Sequence, residues 1–151
     1  MNPATKQRLD AMAVADSLRP TLLRLARELR KEKIAGVSSH QVGLLVAIKY
    51  TPGVTVGELA TEERVSTAAM SKRVSRLERS GLVARTKSEA DRRCVGLTLT
   101  EEGQRTLRRV RSRRTAWLAS RLGALTPEEL AAVGAAAEPL ARLLEGGELP
   151  A

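Results

Sequence analysis

The sequence predicts a mainly α chain carrying one small β-hairpin. Three observations point there. Apolar residues recur three and four apart, as in the stripe Leu22, Leu25, Ala26 and Leu29. Helix-start signals repeat along the chain, at Ser38 with Gln41, at Thr55 with Glu58, and at Thr126-Pro127-Glu128-Glu129. Between residues 82 and 99 the period changes to two, with Val95, Leu97 and Leu99 alternating to one side.

Taken in order, residues 9–33 are predicted to be helical, with Arg24, Arg27, Arg30 and Lys31 between the apolar positions. Pro20 is expected either to kink this helix or to open its main segment, with Asp16 or Ser17 as an earlier cap. Gly36 breaks the pattern. Ser38 and Gln41 then form a capping box for a second helix, whose run VGLLVAIKY (42–50) is apolar nearly all round and so expected to be buried. Thr51-Pro52-Gly53 stops it. Thr55 and Glu58 open a short third helix, GELATEER.

After a turn at Val65, Ser66 can cap a fourth helix running through Ser80, with Gly81 as its stop. Val74 and Leu77 should face inward, with Ala69 or Met70 one turn earlier. Leu82-Val83-Ala84-Arg85 and residues 95–99 read as two strands joined by the polar tip TKSEADRR. Thr100 caps a fifth helix to about Leu122, with Glu101 and Glu102 where the helix dipole favours anions. The last helix starts at Thr126-Pro127 and ends near Gly146-Gly147.

Two short helices with a tight turn, followed by a hairpin, describe a winged helix-turn-helix. The expected division is an N-terminal dimerisation helix (1–37), the winged module (38–100) and C-terminal dimerisation helices (101–151). The outer helices are long and amphipathic, and a second copy of the chain would cover their apolar faces.

Composition narrows the function. The 151 residues are 42% hydrophobic, enough for a core, but with no Phe, one Trp and one Tyr that core must be aliphatic. Stacking platforms for single-stranded nucleic acid are therefore disfavoured. The net charge is +9, and its placement says more than its size. Residues 64–114 hold 15 Lys/Arg against 5 Asp/Glu, whereas residues 115–151 hold 2 against 5. One Cys allows no internal disulfide and fits a reducing, cytoplasmic setting. One His with one Cys cannot make a usual metal site, and no cofactor motif is present, so neither metal nor cofactor is expected. No apolar run approaches the roughly 20 residues that span a bilayer, and the N-terminal run reads as no secretory signal.

The run TVGELATEERVSTAAMSKRVSRLERSGLVARTKSEADRRCVGLTLTEEG (55–103) resembles the MarR family of bacterial transcriptional regulators. The resemblance rests on Glu58-Leu59-Ala60, Arg76-Leu77-Glu78 with Gly81-Leu82-Val83, Asp91-Arg92-Arg93, and Leu97-Thr98-Leu99-Thr100 with Gly103. It implies a homodimer on duplex DNA at a near-palindromic operator, often controlled by a small-molecule effector or an oxidant.

The start of the fourth helix would then point at base edges. Ser66, Thr67 and Ser71 are short donor-acceptors, Ala69 can touch a thymine methyl, and Lys72 and Arg76 suit the phosphate backbone. The family often carries a larger polar residue near Thr67, so direct readout is expected to be sparse, with more weight on DNA shape. Ser66 is equally readable as a plain cap, and Arg73 and Arg79 as a solvated face. The resemblance suggests that Arg93 enters the minor groove and Asp91 orients it, with Arg92 on phosphate or exchanging roles. Arg85 and Lys87 would add phosphate contacts. His40 is a conceivable ligand contact, but a capping or hydrogen-bonded role is the better reading of it. Cys94 reads as structural, and RRVRSRR (108–114) as a solvated face rather than more DNA surface. The reading is therefore a regulator, in the first instance a repressor, and not an enzyme. A nonspecific architectural DNA- or RNA-binding protein is the alternative.

Overall fold

The computed structural model describes residues 10–87 and 95–145. Its element order is α1 (Ala11–Lys31), α2 (Ser39–Tyr50), α3 (Val56–Glu62), α4 (Thr67–Arg79), β1 (Val83–Lys87), β2 (Val95–Leu99), α5 (Glu101–Leu122) and α6 (Pro127–Glu145). The chain divides into two units, one through Arg114 and one from Thr115 onward.

The first unit holds an aliphatic core. Leu44, Leu45 and Ile48 of α2, Leu59 of α3, Met70, Val74 and Leu77 of α4, and Leu97 of β2 are each essentially sealed from solvent. Leu107 and Val110 extend the cluster onto α5. Each fully buried aliphatic side chain contributes about 1.5–3 kcal/mol relative to exposure, so these helices are set by packing more than by propensity.

The predicted caps form. Ser38 Oγ accepts from the Gln41 N–H (3.2 Å) while Gln41 Oε1 accepts from the Ser38 N–H (2.8 Å). Thr55 and Glu58 reciprocate in the same way at 3.0 and 3.1 Å, and Thr126 and Glu129 at 2.9 and 3.2 Å.

Three expectations are corrected. α1 continues unbroken past Pro20, which does not open its main segment, and its cap is Asp10, which accepts from the Met12 N–H at 3.1 Å. Ser17 does not cap, because its hydroxyl donates to the Val14 carbonyl inside the helix. α2 is not buried all round: Val46 is 38% and Tyr50 77% exposed. β1 begins at Val83 and extends to Lys87.

β1 and β2 pair antiparallel, with Val83 opposite Leu99 and Lys87 opposite Val95. The stretch before α3 adds a short bridge to β2, through Gly53 N–H to Leu97 O and Leu97 N–H to Val54 O, both 2.9 Å. The hairpin is thus fixed at its base to the helical core. Gly81 ends α4 with φ 72°, a left-handed turn that sends the chain into β1. At Gly103 a Cβ would meet the Leu82 carbonyl oxygen at 2.1 Å, so only glycine lets α5 pack on the start of the hairpin.

α1 has no buried residue. Met12, Leu22, Leu23 and Leu25 are 41–67% exposed. At its C-terminal end, Lys31 donates to Glu28 at 2.7 Å, and that hydrogen bond holds the Glu28 carboxyl below the usual carboxylate range.

In the second unit, α6 likewise buries nothing, and Leu130, Val133, Leu143 and Leu144 are exposed. The Arg121 guanidinium lies over the Trp117 ring at 5.4 Å.

Candidate nucleic-acid interface

α3 and α4 are joined by a turn that the sequence does not announce. Arg64 takes φ 53°, a left-handed conformation usually left to Gly or Asn. The Val65 N–H then reaches back to the Ala60 carbonyl at 3.0 Å. This closes α3 and aims the chain into α4. Exposed Arg64 therefore stands next to the start of the fourth helix, a basic residue that sequence reasoning missed. Backbone conformation is the only signal that finds it, and no residue pattern encodes it.

α4 is fixed by one face and free on the other. Met70, Val74 and Leu77, at i, i+4 and i+7, are fully buried. Ser66, Thr67, Lys72 and Arg76 are exposed, and Ala69 and Ser71 half-buried. The first turn carries no acid. Ser66 Oγ accepts from the Ala69 N–H at 3.1 Å, so Ser66 is the cap, with its hydroxyl proton still able to donate. Lys72 and Arg76 stand on the side of α4 away from its buried row, and Ser66 and Thr67 are exposed where the helix opens, at an N-terminus whose amide groups favour anions. Arg73 is half-buried and Arg79 exposed.

On the hairpin, Arg85 and Lys87 are exposed on β1. Arg85 is not a bare cation, because its Nε donates to Glu78 Oε1 at 2.9 Å. This pair ties α4 to the hairpin and lowers the charge that Arg85 can offer a phosphate. Lys87 has no carboxylate partner among the described residues. Asp91, Arg92, Arg93 and Cys94 lie outside the described residues. His40 is exposed in the first turn of α2 and makes no side-chain hydrogen bond among the described residues. No group of His, Cys, Asp and Glu that could hold a metal occurs among the described residues. No helix among them is long and apolar enough to cross a membrane.

A helix packed on its neighbour through a tight turn, with its outer face basic and a paired hairpin beside it, is a winged helix-turn-helix module for DNA. A family model described as MarR family matches residues 37–95. The chain is similar to the HTH-type transcriptional repressor MdtR of Bacillus subtilis (strain 168), at 31% identity over 140 residues, 93% of this chain and 86% of that protein. Among solved structures it is similar to a MarR family protein from Bacillus stearothermophilus, with 26% identity and a TM-score of 0.66 over 97% of this chain and 99% of that one. It is also similar to Streptococcus pneumoniae FabT in complex with DNA, with 26% identity and a TM-score of 0.57 over 90% and 98% of the two chains. The chain belongs to the MarR family, and is a DNA-binding transcriptional regulator rather than an enzyme.

Proposed function

We propose that this protein is a cytoplasmic, dimeric, sequence-specific repressor that seats α4 in the major groove and a wing arginine in the adjacent minor groove. The observation that carries the reading is the two-sided character of α4. Its inner face is locked into the core by Met70, Val74 and Leu77, while Ser66, Thr67, Lys72 and Arg76 look outward. A reading helix needs both properties, because base contacts discriminate only when their scaffold cannot shift. Thr67 and Ser71 reach base edges, Ala69 approaches a thymine methyl, and Lys72, Arg76, Lys87 and Arg64 hold phosphates. Arg85 acts mainly through Glu78, keeping the wing at a fixed angle to α4.

Repression is supported by the name of the similar MdtR protein. Dimerisation is supported by α1 and α6, which bury none of their residues yet present several leucines. A second copy would cover those faces and present two reading helices to a near-palindromic site. Relief by a small-molecule effector is part of the reading, with His40 as its candidate contact.

Wing insertion is tested by Arg93→Ala. The variant should bind its operator more weakly by about 1–3 kcal/mol, with its far-UV circular dichroism unchanged. Equal binding would remove the wing arginine from the site.

A further inference from the structure

The run RRVRSRR (108–114) on α5 does not behave as one solvated face. Leu107 and Val110 turn into the core, and Arg114 follows on the same row of the helix, one turn beyond Val110. Arg114 is half-buried, whereas Arg108, Arg109, Arg111 and Arg113 are exposed. Its Nε is sealed from solvent and, among the described residues, is the only such side-chain nitrogen or oxygen without a hydrogen-bond partner. Buried donors are ordinarily satisfied, because a bare one loses its hydration and gains nothing in return.

Most carboxylates of the long helices are already engaged. Glu32 faces Arg113 at 3.8 Å, Glu101 and Glu102 hold Arg105 at 3.1 and 2.6 Å, Glu28 accepts from Lys31, and Glu138 from Arg142. Glu129 closes the cap of α6. On α1 and α6 the exceptions are Asp16, Glu128 and Glu145, which are exposed and form no ion pair among the described residues. These are the same two helices that bury none of their own residues. Uncovered leucines and unpaired carboxylates thus share two helices, and a sealed guanidinium nitrogen elsewhere in the chain lacks an acceptor.

We infer that the Arg114 guanidinium is completed by a carboxylate of a second copy of this chain, supplied by α1 or α6, and in a symmetric dimer the pair is made reciprocally. This pairing rests on the dimeric reading above and adds the polar contact that sets how the apolar faces align. Leucine faces tolerate sliding, whereas a shifted guanidinium would be left bare, so a dry charge pair fixes the register.

The test is sedimentation equilibrium of the full chain over a concentration series, without DNA. Arg114→Met keeps a long side chain and removes the charge, and should raise the dimer dissociation constant about thirtyfold or more. Arg111→Met, the same change at an exposed position of the same helix, should stay within about twofold. Asp16→Asn, Glu128→Gln and Glu145→Gln identify the acceptor. One of them should weaken the dimer about tenfold or more, and should add no more than about twofold to Arg114→Met in the double variant. These three positions are exposed in the single chain, so they test the pair independently of any effect of Arg114→Met on folding, which far-UV circular dichroism follows. The inference is overturned, with the dimeric reading left standing, if the parent is a dimer that no carboxylate variant weakens. It is likewise overturned if Arg111→Met weakens the dimer as much as Arg114→Met. A parent chain that sediments as a monomer at every concentration overturns both.

Discussion

Thr100 holds the joint between the reading helix and the long helix that follows the wing. Its hydroxyl donates to the Gly81 carbonyl at 2.5 Å and accepts from the Gly103 N–H at 3.0 Å, while its own N–H reaches the Leu82 carbonyl at 3.1 Å. One side chain therefore caps α5 and satisfies the carbonyl exposed where α4 stops. Thr100→Ala should lower unfolding stability by about 1–2 kcal/mol, read as a shifted midpoint in urea with the slope unchanged. A change indistinguishable from zero would mean that water replaces both bonds. Its capping role was legible in the sequence, since a Thr before two Glu is a start signal. The bond to Gly81 was not, because it spans 19 residues and exists only once the hairpin has turned back. Arg64 and Glu78 were hidden for related reasons. A left-handed φ on an arginine has no residue code, and the pairing of Glu78 with Arg85 depends on how the strand leaves the helix.

At the scale of elements, α4 was read from its sequence almost to the residue, because a Ser cap, the inward pair Val74 and Leu77 and a Gly stop agree on it; of the two residues open one turn earlier, Met70 is the buried one and Ala69 is half-buried. α1 was less legible. Pro20 argued for a break, but a proline inside a helix removes one hydrogen bond without forbidding continuation where the flanking turns hold. Asp10, a full ten residues earlier, makes the start. For α2 the apolar run hid a wet edge at Val46 and Tyr50, since composition cannot tell which side of an apolar helix finds a partner. The outward face of α4 carries its own prediction. Lys72→Ala should weaken binding about equally for operator and bulk DNA, and lower the slope of log affinity against log salt by about 0.9. Arg76→Ala should do the same. A change in sequence preference with the slope intact would instead place these side chains on bases.

For the molecule as a whole, the sequence already carried the separation of labour. The excess positive charge sits in residues 64–114, while the first and last helices offer leucines without a core to receive them. If a second copy covers those faces, Leu25→Asp should shift sedimentation from dimer toward monomer and cost at least tenfold in operator affinity, because a single reader loses the gain of linked binding. A variant that stays dimeric would move the interface elsewhere. In the proposed function, two copies of the α4 face read one duplex site in register. Selection of bound fragments from a random duplex pool by the purified protein, followed by footprinting of the enriched sequence, tests it most directly. The enriched site should be a near-palindrome with half-site centres about 10 base pairs apart, protected on one face of the duplex. This site should outcompete bulk DNA by about a thousandfold or more. Enrichment of no shared sequence, or binding that bulk DNA displaces equally well, would contradict it.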